Sequence, residues 1–243
     1  MQAALAVWRL WRTSLQVLWG IALVTGFPYR SASARHEAIR GWAGGMVRSM
    51  GVKMQLSGTS RTGATLVVSN HVSVLDTVAI HAAIPHVRFV SKAEISKWPL
   101  LGRLIRGGGT LFIEREHKRD ALRVVHAMAA ALRTGDSVAI FPEGTTGPGA
   151  EPLPFHANLL QAAIATATPV QPVVLRFADE QQAFSPAVAY VGETSLLQSL
   201  WRVASARGLQ VHVDLLPAVA TAHADRRALA AHLRSLIAES LRQ

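Results

Sequence analysis

His71 and Asp76 lie five residues apart in the turn Ser69-Asn70-His71-Val72-Ser73-Val74-Leu75-Asp76, directly after the apolar run Thr65-Leu66-Val67-Val68. At that spacing a carboxylate can take the proton on one imidazole nitrogen and leave the other free as a base, a pairing that supplies about 10²- to 10⁴-fold in rate. The same pair also serves as a buried structural contact, so two residues alone leave both readings open. A second stretch, Phe141-Pro142-Glu143-Gly144-Thr145-Thr146-Gly147, follows the apolar run Val138-Ala139-Ile140. Its glycines and hydroxyls offer donors to a phosphate or another oxyanion, or simply a turn with helix-capping threonines. A third, Gly109-Thr110-Leu111-Phe112-Ile113-Glu114-Arg115, ends a strand-like run in an arginine. Arg115 is suited to clamp a phosphate through two donors, or to stand as a solvated charge at a strand end.

Such residues act together only if a scaffold gathers the ends of their strands. Beyond Gly58 short β-branched runs alternate with helical ones, which predicts an α/β domain with a mostly parallel twisted sheet flanked by helices. Strands are expected at 64–68, 87–91, 110–114, 137–141, 170–177, 187–191 and 209–216, and helices at 118–133, 155–167, 195–206 and 225–241. In open α/β sheets chemistry sits beyond the carboxyl ends of the strands, where His71 and Glu143 fall. Two segments are expected: an N-terminal membrane-associated helical segment, 1–57, and one domain, 58–243.

In the first segment, residues 13–27 carry no charge. As a helix they would measure about 22 Å, short of a hydrocarbon core of roughly 30 Å. Trp8, Trp11, Leu15, Leu18 and Ala22 recur at helical spacing beside Arg9 and Arg12, the pattern of an interfacial helix. A core helix and a signal peptide ending at Ala32-Ser33-Ala34 rank below it, since Pro28 and Arg30 suit the approach to a cleavage site poorly.

The chain of 243 residues is long enough for one large core, and half its residues are hydrophobic, which excludes a disordered or fibrous chain. It has no cysteine, which excludes disulfide scaffolds, thiolate metal sites and a cysteine nucleophile. The net charge of +10 is concentrated in 1–60 and 86–120, where Lys92, Lys97, Arg103 and Arg106 flank Trp98, Leu100, Leu101, Leu104 and Ile105. Basic charge beside apolar segments favours an anionic membrane surface over nucleic acid, for which no binding signature occurs.

Asn70-His71 with Asp76, then Gly109-x-x-Phe112-Ile113-x-Arg115, then Phe141-Pro142-Glu143-Gly144-Thr145, then Pro169-Val170-Gln171-Pro172-Val173, resemble in order the four blocks of the glycerolipid acyltransferases of the 1-acylglycerol-3-phosphate type. The resemblance covers about 58–220. It implies transfer of an acyl group from acyl-CoA or acyl carrier protein to the free hydroxyl of a lysolipid, most directly 1-acylglycerol-3-phosphate, with no cofactor, no metal and no acyl-enzyme. On this likeness His71 is the general base, Asp76 orients it, Arg115, Glu143, Gly144 and Thr145 form the acceptor's headgroup site, and Pro172 helps shape an acyl channel. Thioester donors place the reaction at the cytoplasmic face of a bacterial inner membrane. Two departures bear on the acceptor. Leu153-Pro154-Phe155-His156-Ala157-Asn158 stands where relatives carry a Phe-Lys-Lys-Gly-like run, and Thr146-Gly147 where Arg-Ser is frequent. The first removes a cationic acceptor contact, and the second resembles bacterial members acting on other lysolipids, including lyso-ornithine lipid. Among rival readings, a serine hydrolase lacks a Gly-x-Ser-x-Gly elbow, leaving only Ser69 and Ser73 as nucleophiles, and a non-enzymatic lipid-surface protein leaves the ordered blocks unexplained.

Overall fold

Apolar runs bounded by glycine and polar turns become the strands of one sheet, and the longer amphipathic stretches become the helices that cover it. The computed structural model describes residues 2–113 and 120–243. In chain order the elements are α1 (Gln2–Thr25), α2 (Ala32–Ser49), β1 (Lys53–Gly58), β2 (Leu66–Ser69), α3 (Asp76–Ala83), β3 (Val87–Lys92), α4 (Leu101–Gly107), β4 (Leu111–Ile113), α5 (Asp120–Arg133), β5 (Ser137–Ile140), α6 (Gln161–Ala165), β6 (Val170–Ala178), α7 (Leu196–Ser205), β7 (Gln210–Leu215) and α8 (Arg226–Leu241). The strands lie in the order β1-β7-β6-β2-β5-β3-β4. Among the described residues only the pairing of β6 with β7 joins named strands antiparallel, so the α/β class and the mostly parallel sheet are as expected.

Side chains alternate across a strand, and the sheet uses both faces. Val67 of β2 joins Ala139, Val173 and Val213 in a core beneath α2, α3 and α7. Its neighbours Leu66 and Val68 point the other way, into a core with α5, α6 and α8. From β2 the chain crosses on the first face to β3, and from β5 it crosses on the second face to β6. The connections diverge at adjacent strands, which opens a crevice at their carboxyl ends.

Before residue 58 the chain forms α1, α2 and most of β1, which pairs in parallel with β7. The helices α1 and α2 make a hairpin tied reciprocally: Trp42 Nε1 donates to the carbonyl of Gln16 at 2.8 Å, and Gln16 Nε2 to that of Trp42 at 3.0 Å. Arg9 turns inward and donates to the carbonyls of Ala204 and Ala206 at the end of α7, 2.9 and 2.6 Å away. The opposite face of α1 leaves Trp8, Trp11, Leu15, Leu18 and Trp19 exposed. Among the described residues no helix is long and apolar enough to cross a membrane.

Three expectations need correction. Residues 187–191 are not a strand: Pro186 has no amide to donate, Val188 is buried, and the Tyr190 amide bonds the carbonyl of Val72 instead of a strand. The helix expected at 155–167 shrinks to a 3-10 turn, Ala157–Leu160, followed by α6, because the His156 amide is drawn to the carbonyl of Pro142. And β1 lies outside the expected strands. The helix expected from 118 is seen from Asp120, with 118 and 119 outside the described residues.

His81 of α3 is buried against Phe89, 5.0 Å between ring centres, and among the described residues its Nδ1 has no hydrogen-bond partner. Burial pushes its pKa from 6.5 down to about 4. The unfolded chain then binds the proton more readily than the folded one, so stability is full above pH 6.5 and is lost as pH falls toward 4. Urea titrations should show a loss on the order of 3 kcal/mol across that window. Replacing the imidazole, as in His81→Phe, should remove that part of the pH dependence.

Candidate active site

The turn after β2 is held by a carboxylate at its far end. Asp76 is fully buried at the start of α3, and its Oδ2 accepts from three donors: His71 Nδ1 at 2.7 Å, the Val72 amide at 2.6 Å and the Ser73 amide at 2.9 Å. A carboxylate has no proton to give in return, so Nδ1 of His71 is the donor and its Nε2 is left with the lone pair. Among the described residues nothing bonds Nε2, and the His71 side chain is 25% exposed. The ring lies flat on Phe141, 4.1 Å between centres and 11° between planes, which fixes its tilt.

The second block meets the first through Glu143, which is 5% exposed. Its Oε1 accepts from the His71 amide at 2.7 Å and its Oε2 from the Leu153 amide at 2.8 Å. Burial pushes this carboxyl above its ordinary value, and the two amides and nearby His71 pull it partway back. Both oxygens are thus committed to the protein's own backbone. Gly144 closes a turn onto the carbonyl of Phe141 at φ 72°, a backbone region where a side chain is strained, and Gly144 and Thr145 are exposed. Gly147 donates its amide to the carbonyl of His71 at 2.7 Å, and the Thr146 hydroxyl donates to the carbonyl of Tyr190. The Thr-Gly pair therefore ties the two blocks together.

These loops border a cleft of about 460 Å³ whose lining includes His71, Val90, Phe141, Gly144, His156 and Asn158. Reasoning from sequence placed His71, Gly144 and Glu143 at one site, and the structure brings their segments together. It missed Phe141 as the surface under the imidazole, and it marked His156 and Asn158 only as part of the 153–158 run that bears on the acceptor, not as cleft residues. Arg115 lies outside the described residues. Pro172 is buried within β6 opposite Val68 and does not line this cleft. Ser69 and Ser73 are buried at 0% and 1%, so neither hydroxyl is offered to the cleft as a nucleophile.

Asn70 fastens the turn to the sheet. Its Nδ2 donates to the carbonyl of Leu175, and its Oδ1 accepts from the Leu175 amide, both at 2.8 Å. Asn70→Ala leaves two buried backbone groups on β6 without partners and should lower stability by about 2–4 kcal/mol. A shift of the urea midpoint measures it.

Comparison with known proteins places this arrangement in a family. A sequence model of the acyltransferase family matches residues 52–176. The 1-acyl-sn-glycerol-3-phosphate acyltransferase of Neisseria meningitidis is 33% identical over 213 residues, 86% of this chain and 81% of that one. The lyso-ornithine lipid O-acyltransferase of Pseudomonas aeruginosa is 33% identical over 196 residues, 81% of this chain and 75% of that one. The crystal structure of the 1-acyl-sn-glycerophosphate acyltransferase PlsC from Thermotoga maritima shares the fold, with a TM-score of 0.75 at 17% identity over 100% of this chain and 97% of that one. With its family match spanning both turns that meet at the cleft, the chain belongs to the acyltransferase family and is an acyltransferase.

Proposed function

We propose that the protein moves a fatty acyl group from a thioester, acyl-CoA or acyl carrier protein, to the free hydroxyl of a lysolipid, with 1-acylglycerol-3-phosphate as acceptor and phosphatidic acid as product. The observation that carries this reading is the Nδ1 contact of His71 with buried Asp76 at 2.7 Å, which leaves Nε2 unpartnered at a cleft. In this mechanism Nε2 takes the acceptor's hydroxyl proton as the oxygen attacks the thioester carbonyl, and Asp76 balances the imidazolium that forms. The tetrahedral intermediate collapses, the carbon–sulfur bond breaks, and the thiolate leaves with the proton returned by His71. Gly144, Thr145 and Arg115 receive the acceptor's headgroup, and Glu143 contributes by holding the His71 amide and the 153 loop.

The exposed Trp8, Trp11, Leu15, Leu18 and Trp19 of α1 support membrane association of the N-terminal segment, on an anionic surface at the cytoplasmic face of the inner membrane where thioester donors are found. A second acceptor, lyso-ornithine lipid, has its own support. A lyso-ornithine lipid O-acyltransferase is 33% identical over 81% of this chain.

Membranes carrying the wild type or His71→Ala, given labelled long-chain acyl-CoA and lysophosphatidic acid, lysophosphatidylcholine or lyso-ornithine lipid, test both readings. Product from lysophosphatidic acid should fall by about 10²- to 10⁴-fold in the variant. Product from lyso-ornithine lipid alone would move the acceptor and keep the mechanism. No His71-dependent product from any acceptor, with acyl carrier protein also tried as donor, would overturn the reading.

A further inference from the structure

A basic concavity lies beside the tip of α4, away from the His71 cleft and sharing no lining residue with it. It measures about 390 Å³, and its walls include Ile21, Lys97, Trp98, Leu100, Arg103 and Arg106. Trp98 is 47% exposed and Leu100 is 59% exposed. The chain between them is strained. Leu101 donates its amide to the carbonyl of Pro99 at 2.7 Å, closing a γ-turn around Leu100 at φ 64°, ψ −60°. This conformation is rare and costly for a bulky side chain, and here it leaves most of the leucine in the open. Among the described residues none of Lys97, Arg103 or Arg106 has an ion-pair partner, and Arg106 donates to the carbonyl of Ser96 at 2.6 Å, so three cations stand around an apolar tip.

The position of the concavity indicates its occupant. Along α1 the exposed residues Trp8, Trp11, Leu15 and Leu18 follow one helical stripe that continues to Ala22, and Ile21, on the flank of that stripe, stands in the concavity wall. The fit of α4 on α1 is close: a Cβ on Gly107 would meet Val24 at 2.4 Å, and one on Gly20 would meet Leu104 at 2.8 Å. Through Ile21, the exposed Trp98 and Leu100 stand beside the stripe of α1.

We infer that the strained Trp98-Pro99-Leu100 turn is a second membrane-inserting element, and that Lys97, Arg103 and Arg106 around it bind the phosphate of an anionic lipid headgroup in that membrane. Apolar residues enter below headgroup level while the cations stay at it, the division expected of an interfacial wedge. This rests on the membrane association proposed for α1 and adds a separate contact to it.

The test is sedimentation of the full chain with phosphatidylcholine vesicles, with and without phosphatidylglycerol. Leu100→Gly is the informative variant, because glycine adopts the turn without strain and the fold is kept. It should leave the thermal midpoint the same or higher, leave turnover in detergent micelles unchanged, and weaken partition into both kinds of vesicle severalfold. Lys97→Gln with Arg103→Gln should weaken partition roughly 30-fold only where phosphatidylglycerol is present. Wild-type partition that neither variant changes would overturn the wedge while leaving the α1 anchor standing, and a wild type that binds no vesicle would overturn both. A raised KM for acyl-CoA or for acyl carrier protein in micelles, with vesicle partition intact, would assign the cations to the donor and also overturn the inference.

Discussion

One oxygen of Asp76 receives an imidazole and two consecutive backbone amides, and the turn after β2 has its shape because those three donors must converge. The carboxylate can receive them only from the start of α3, so helix, turn and imidazole form one unit. Its other oxygen is buried and has no partner among the described residues, a cost the surrounding structure carries. A backbone bent around a buried anion cannot easily relax. The imidazole's direction is thus set by electrostatics at one end and by the flat face of Phe141 at the other.

That unit would still drift relative to the second block without Glu143. A carboxylate between two amides on different loops acts as a two-sided acceptor, and the burial that raises its pKa is also what keeps water from competing for those amides. Around it, Gly147 holds the carbonyl of His71, Tyr190 holds that of Val72, and Thr146 holds that of Tyr190. Each bond joins segments that the sheet has already brought close. The divergence of the crossovers at β2 and β5 supplies the opening, and these few polar contacts set its rim.

Much of this was legible in the sequence, for physical reasons that also explain the misses. Strands β2, β5 and β6 are buried on both faces and read as continuous apolar runs. By contrast β1, Lys-Met-Gln-Leu-Ser-Gly at the sheet edge, is mostly exposed and has no such run. Residues 187–191 have strand composition, but composition does not register that the amide of Tyr190 is taken by a loop. The helix α2 carries three glycines, Gly41, Gly44 and Gly45, and its weak pattern is rescued by packing on α1 and α3. At the site, the His71–Asp76 pair was visible because its spacing is local. The engagement of Glu143 with backbone amides was not, because its partners come from loops whose approach only the folded sheet defines.

The contrast between local and distant contacts has a consequence for how the protein comes to exist. His71 and Asp76 are five residues apart and can meet early, but Asn70 is anchored to Leu175, 105 residues later, and the His71 loop is roofed by Tyr190. Contacts across such distances close late in folding, after the loop-closure entropy has been overcome. A chain growing from its N-terminus therefore exposes α1 and its tryptophans long before the residues that frame the imidazole have been synthesised. Contact with a surface can precede competence for chemistry, and half-made chains carry the histidine without the frame that gives it direction.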